Sequence, residues 1–290
     1  MKRTGVFYHE VCGKEAYRSL LMGVEEGFES LKRAKLFLEP NVIFFEAEPV
    51  AEGEIAKIHS QPWIHYVKQS QWWRVSLYSI GGLIGATEEI LRRRIDNALV
   101  IVGVGGHHAG RDSAWGGCYF NDTAIAIKYA KERLGARRFA IVDTDTHHGD
   151  GTRNLIGADE EVLHFCLCND LLWSYNDANR TRSATKICVS HGVSDEEEIE
   201  IIEKEVPQRL EKFKPDLIYW VMGLDTHKDS YGTASLTERC YPEMAKILKG
   251  AAEKVCNGKL IVRTSCNAPG YVTEYIMPRI VNILAEIRKC

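Results

Sequence analysis

The chain has no Cys-x-x-Cys pair, no apolar run near the roughly 20 residues of a membrane helix, and no repeat or low-complexity tract. Those absences exclude a zinc ribbon, a thioredoxin-like redox centre, a spanning segment and a solenoid. The opening residues Met1-Lys2-Arg3-Thr4-Gly5 lack the apolar core of a signal peptide. The nine cysteines are odd in number and irregularly spaced, so they read as reduced thiols packed as small hydrophobes, which points to a cytoplasmic protein. A net charge of −3 leaves no field of one sign, so a dedicated nucleic-acid or membrane-surface binder is not expected. The short runs Arg92-Arg93-Arg94 and Arg137-Arg138 read as solvated helix ends or loops. No Pro- or Ser-rich stretch marks a linker. A single catalytic domain over residues 1–290 is expected, and its 290 residues suffice for a substantial core. An oligomer is compatible with this composition.

What is present is an alternation of short apolar runs with longer helical periods. The strand candidates are Val42–Phe45, Ala98–Val104, Phe139–Asp143, Val162–Leu167, Thr185–Val189, Leu217–Met222 and Leu260–Thr264. They are mostly continuous rather than alternating, as strands covered on both faces are. Asn121 reads as the cap of a helix ending near Gly135. Ser194 with Glu197 reads as a capping box ahead of Ile199, Ile202, Val206 and Leu210, with Pro207 inside. Thr237 reads as another cap, and a last helix carries Ile276, Ile280, Ile283 and Ile287. Strand–helix alternation predicts an α/β fold: a single parallel β-sheet with helices on both faces.

Ligands of such sheets bind beyond the carboxyl ends of the strands. Four polar clusters fall there: Gly105-Gly106-His107-His108, the run from Asp143 to Gly151, Gly223-Leu224-Asp225 with His227 and Asp229, and Ala268-Pro269-Gly270-Tyr271. Asp145 and His147 are two apart on extended chain, so their side chains leave one face. Both are good zinc ligands, and Asp225 can complete a three-ligand site with an open position. A lone Asp-x-His is commonly a turn; four clusters at equivalent strand ends make a shared cleft the better reading. Each ring of His107-His108 needs a partner, and Asp143 and Asp150 are the spare carboxylates nearby. His227 reads as a hydrogen-bonded loop histidine and His148 as a supporting one. His9, His59, His65, His164 and His191 read as structural or exposed. Cys166-x-Cys168 falls in a strand-like run and reads as core or cleft lining.

These segments resemble the histone deacetylase superfamily, which includes acetylpolyamine amidohydrolases and acetoin-utilisation proteins. Gly105-Gly106-His107-His108-Ala109 is similar to its twin-histidine motif, and Gly116-Gly117-Cys118-Tyr119-Phe120-Asn121-Asp122 to the segment after it. Val142-Asp143-x-Asp145-x-His147-His148-Gly149-Asp150-Gly151 is similar to its metal motif, and Gly223-Leu224-Asp225 with Asp229 to its third-ligand loop. The likeness runs from about Ile58 to the C-terminus. It implies the arginase/deacetylase fold and one zinc per chain (Fe2+ or Co2+ as substitutes) held by Asp145, His147 and Asp225 without cysteine. It implies His108 with Asp150 as general base and acid, His107 with Asp143 as a cationic stabiliser, and Tyr271 as donor to the substrate carbonyl.

The chain departs from the family pattern in several places, among them the following three. Ala268-Pro269-Gly270 precedes Tyr271 where the family usually has Glu-Gly-Gly or Gly-Gly-Gly. Gly117 follows Gly116 where a channel-lining aromatic is usual, so a wider substrate channel is expected, lined by Trp173 or Tyr175 instead. Cys166 stands where a serine commonly helps hold a structural monovalent cation, so that cation is left open.

The implied reaction is hydrolysis of an acylated amine, with acetyl-lysine or a small acylated amine as substrate. Zinc acidifies water and polarises the carbonyl, while a histidine titrating near neutrality moves the proton. Two alternatives stay open: an acetylpolyamine-type amidohydrolase, and a catalytically silent binder of acyl or polyamine ligands. A binuclear manganese ureohydrolase favours Asp-x-His-x-Asp, and Gly149 occupies the last position here.

Overall fold

The computed structural model describes residues 1–16, 23–168, 183–232, 235–266 and 268–287. They form one sheet of eight parallel strands: β1 (Thr4–Tyr8), β2 (Val42–Glu46), β3 (Asn97–Val100), β4 (Phe139–Asp143), β5 (Val162–Leu167), β6 (Lys186–Val189), β7 (Leu217–Met222) and β8 (Leu260–Thr264). The helices among the described residues are α1 (Glu10–Lys14), α2 (Val24–Arg33), α3 (Glu52–Ile55), α4 (Gln61–Lys68), α5 (Trp73–Leu91), α6 (Asp122–Arg133), α7 (Asp150–Ile156), α8 (Asp195–Phe213), α9 (Cys240–Cys256) and α10 (Gly270–Ala285).

Both faces of the sheet are covered. Ile218, Trp220 and Met222 of β7 join one apolar cluster with residues of α2, α8, α9 and α10. Leu217, Tyr219 and Val221 of the same strand join a second cluster with residues of α5 and α6. Successive side chains point to opposite faces, so a strand buried on both sides must be apolar throughout. That is why the continuous runs in the sequence are strands.

The strand order is β2-β1-β3-β8-β7-β4-β5-β6. β3 and β4 are consecutive in the chain among the strands, yet β8 and β7 lie between them. The reversal of winding at this point opens a crevice at the carboxyl ends of β3, β8, β7 and β4. All four polar clusters of the sequence follow these four neighbouring strands.

Several local expectations are refined. Asn121 Oδ1 accepts from Ala124 N at 2.9 Å and caps α6; Ser194 Oγ accepts from Glu197 N at 3.3 Å and caps α8, which continues through Pro207. Thr237 does not cap α9. Its amide and hydroxyl both go to Asp195, and the helix begins at Cys240. The run Ala98–Val104 is a strand only to Val100. Beyond it the amides of Val102 and Gly103 bond to Thr264 Oγ1 and Ser79 Oγ, so the buried chain leaves the ladder with its donors satisfied by side chains. The described helices contain none long and apolar enough to cross a membrane.

Candidate metal and catalytic site

Asp143 ends β4, and the chain beyond it turns sharply across the sheet edge. Asp143 Oδ1 accepts from Asp145 N at 3.1 Å, and Asp145 Oδ1 accepts from His147 N at 3.1 Å, so each carboxylate folds the next two residues. His191 Nε2 lies 3.1 Å from the Asp145 carbonyl and its Nδ1 3.0 Å from Glu198, bracing this loop from α8. Asp225, beyond β7, accepts from Thr146 N at 3.2 Å. Glycine is required where these segments touch: a Cβ on Gly223 would lie 2.4 Å from Asp145 Cα, and one on Gly151 2.3 Å from the His108 carbonyl carbon.

The result is a tight cluster. His147 Nδ1 lies 3.2 Å from Asp145 Oδ1 and 3.1 Å from Asp225 Oδ2. Ligands about 2.0–2.1 Å from a tetrahedral zinc are about 3.3 Å apart, so the spacing of these atoms fits such an ion. Charge fits as well. Asp145 and Asp225 are both fully buried. Burial, reinforced by the Asp145 charge, pushes the Asp225 carboxyl up to about 7. Burial opposes a charge on His147, but the Asp145 and Asp225 carboxylates beside it raise it to about 10. Asp225 Oδ2 is buried and receives no well-aligned hydrogen bond. Two buried carboxylates competing for a proton are short of positive charge, and a divalent cation supplies it.

The adjacent histidines face opposite environments. His107 Nδ1 is 3.1 Å from Asp143 Oδ2, and its Nε2 is 3.5 Å from Asp145 Oδ1. Burial would lower it, but the two aspartates outweigh burial and raise it to about 9. His108 Nδ1 is 2.6 Å from Asp150 Oδ1. Burial and then the charge of His107 lower it to about 4, so it is a neutral imidazole at pH 7.

Other expected residues are placed differently. Tyr271 is 56% exposed and its hydroxyl donates to Asp229, so the structure does not bring it onto the triad. Tyr231 lies closer, its ring 6.3 Å from that of His147. Cys266 Sγ lies within 4.8 Å of ligand atoms of Asp145 and Asp225, so a thiol borders a site expected to be free of sulfur. Gly116 and Gly117 have φ of 60° and 72°. This left-handed turn explains both glycines by backbone conformation, apart from any effect on channel width. Trp173 and Tyr175 lie outside the described residues.

An aromatic that sequence reasoning missed is Trp115. Its ring stacks on His108 at 3.6 Å, and its Nε1 donates to Asp150 Oδ2 at 3.0 Å. It sits in an aperiodic loop, and the one available signal was a tryptophan directly before Gly116. His164 and His191, read as structural, border Asp143 and Asp145. His227 has two partners, the amide of Asp229 and Glu238.

The histone deacetylase domain model matches residues 23–283. The chain belongs to the histone deacetylase family. It is 26% identical over 273 residues to a protein of Archaeoglobus fulgidus named "Probable deacetylase", covering 86% of this chain and 75% of that protein. It is 29% identical to the "Histone deacetylase-like amidohydrolase" of Pseudomonas aeruginosa, covering 95% and 83%. A solved structure titled "Crystal Structure of HDA15 HD domain" superposes with a TM-score of 0.85 over 99% of this chain and 90% of that one. At 20% identity that likeness establishes the fold. Membership makes the chain a histone deacetylase-family hydrolase of acetylated substrates. It agrees with the placement of the polar clusters beyond the carboxyl ends of β3, β8, β7 and β4.

Proposed function

We propose that the chain hydrolyses N-acylated amines, acetyl-lysine or a small acylated amine, with a divalent ion, zinc first, held by Asp145, His147 and Asp225. The observation that carries this reading is the convergence of those three side chains beside a histidine pair of which one ring, His107, is cationic and the other, His108, neutral. When bound, the ion supplies acidification of water and polarisation of the amide carbonyl. His108, neutral and held through Nδ1 by Asp150, keeps Nε2 for accepting a proton from an attacking water. The same nitrogen then returns the proton to the leaving amine. His107, held cationic between Asp143 and Asp145, stabilises negative charge as the tetrahedral centre forms. Trp115 fixes the plane of His108 by stacking and the orientation of Asp150 by its N–H.

A hydroxyl donor to the oxyanion is assigned to Tyr271 by family resemblance. In the structure it is engaged by Asp229, whereas Tyr231 stands against the cluster. The substrate class divides between protein acetyl-lysine and small acylated amines. Acetate release from acetyl-lysine peptides and from acetylated polyamines, measured alongside metal content, tests the proposal. Release that follows metal occupancy supports it. Metal-loaded protein that binds both substrate types and releases no acetate would make the chain a silent binder.

A further inference from the structure

His148 follows the β4 edge, Cys168 stands one residue beyond β5, and Cys188 lies in β6. These three strands are neighbours in the sheet. The His148 ring turns away from His147, and its Nδ1 lies 3.6 Å from Cys168 Sγ and 3.6 Å from Cys188 Sγ. The three ligand atoms all lie within 4.8 Å of one another. We propose that His148, Cys168 and Cys188 form a second, sulfur-rich site for a thiophilic divalent cation, zinc in the first place, separate from the aspartate cluster.

The spacing is the first argument. With Zn–S about 2.3 Å and Zn–N about 2.0–2.1 Å, a tetrahedral ion separates N from S by about 3.6 Å and S from S by about 3.8 Å. The observed nitrogen–sulfur distances match before any ion is added. Rigidity is the second argument: the ligands come from three hydrogen-bonded strands and their first turns, so little chain must be ordered on binding. The donor set is the third. Imidazole with two thiolates suits zinc and cuprous ions over magnesium or calcium.

Cys166 provides an internal contrast. It shares β5 and is fully buried, yet its thiol donates to the Leu167 carbonyl, the behaviour of a packed cysteine. Cys168 and Cys188 instead converge on one ring nitrogen. Arg153 Nη2 donates to Cys188 Sγ at 3.5 Å, a hydrogen bond of the kind that supports ligating sulfur. Cys188 is only half-buried, which leaves a route for entry. Binding takes one proton from each thiol and releases both to solvent, leaving a neutral dithiolate–cation unit with His148 as a neutral donor.

Cobalt titration of the reduced, chelator-stripped full chain tests the site, because thiolate ligation alone gives an intense near-ultraviolet sulfur-to-cobalt charge-transfer band. Two equivalents are expected, one carrying that band, and added zinc should bleach it. Cys168→Ser, Cys188→Ser and His148→Gln should each weaken the band-carrying equivalent at least tenfold and leave the other in place. Asp225→Asn should do the reverse. Loss of the band in Asp225→Asn or in a Cys266→Ser variant would move the sulfur ligand to the aspartate cluster and overturn the proposal. So would a single equivalent, the absence of a band, or a disulfide between Cys168 and Cys188 in place of metal uptake. Activity of the aspartate cluster is not a readout, so failure here and failure of the deacylase reading are distinct.

Discussion

The dipeptide His147-His148 feeds two clusters of different chemistry. His147 turns toward Asp145 and Asp225 at the centre of the sheet, and His148 toward Cys168 and Cys188 at its β5–β6 side. The chain bends through residues 145–147 just beyond β4, so neighbouring side chains at one strand end serve two places. The centre gathers oxygen and nitrogen around buried negative charge. The edge gathers sulfur. On the proposed assignments the centre carries chemistry on a substrate and the edge holds an ion.

The sharpest separation comes from exchanging damage between the two. Asp225→Asn removes a ligand from the centre and should abolish turnover together with the oxygen-bound metal. Cys188→Ser should leave acetate release within about twofold of the parent, since general-base chemistry at neutral pH resides elsewhere. Metal analysis and acetate release on both variants decide it. Equal loss in both would merge the two clusters into one working unit.

Within the centre, His108→Ala should lower kcat by about 10²–10⁴-fold, the usual contribution of a positioned general base, while metal content stays at parent level. A variant that keeps most activity with full metal would remove His108 from proton transfer. The tyrosines give the next effect. Losing an oxyanion donor commonly reduces kcat by about 10²–10³-fold. Tyr231 lies against His147 while Tyr271 is held by Asp229, so the loss is expected of Tyr231→Phe rather than Tyr271→Phe. The opposite order in steady-state kinetics would show that Tyr271 leaves Asp229 during the reaction.

His59 sharpens the contrast through stability. It is buried, its ring against Phe120, and its Nε2 accepts from Asn121 N at 3.0 Å. Burial lowers its pKa to about 4 from 6.5. The unfolded chain binds the proton first, so this contribution is present above pH 6.5 and lost as pH falls toward 4, about 3 kcal/mol in all. Denaturant unfolding of the parent should weaken over that window. His59→Gln should flatten the slope, and an unchanged slope would place acid sensitivity elsewhere. The smallest effect is expected of Trp115→Phe. It keeps the stack on His108 and loses the N–H to Asp150, a neutral-to-charged hydrogen bond worth roughly 1.5–3 kcal/mol when fully formed. Because Trp115 is 44% exposed, a fall in kcat of about fivefold with KM unchanged is the expected reading. A larger change in KM would make Trp115 a substrate contact.

How far the sequence revealed this arrangement follows from what kind of signal each part left. Strands β4, β5, β7 and β8 were legible because burial on both faces demands uninterrupted apolar runs. The short β1 was not, since Thr4-Gly5 opens five residues with too little pattern. In the metal motif the Asp145/His147 pair was legible as an acid and an imidazole two apart after an apolar run, although the chain there bends rather than extends. The bracing histidines were not: His164 and His191 reach Asp143 and Asp145 from remote β5 and from the loop before α8, and no spacing reports a partner across the fold. The left-handed turn at Gly116-Gly117 was read as missing side-chain bulk, because a glycine in sequence does not say whether space or φ requires it. A Gly117→Phe substitution therefore strains the backbone, so width of the channel is better probed through its neighbour Trp115.

The winding of the sheet also governs when the site can exist. Strands β7 and β8 complete the gap between β3 and β4, so the two ends of the crevice are separated until the final third of the chain has been threaded between them. A chain still emerging from the ribosome carries the twin histidines and the Asp145/His147 pair for more than 70 residues before Asp225 arrives. Closure by late, distant strands makes assembly slow and the open intermediate adhesive. A nascent chain that ends before β7 lacks Asp225, and with it the third of the proposed ligands.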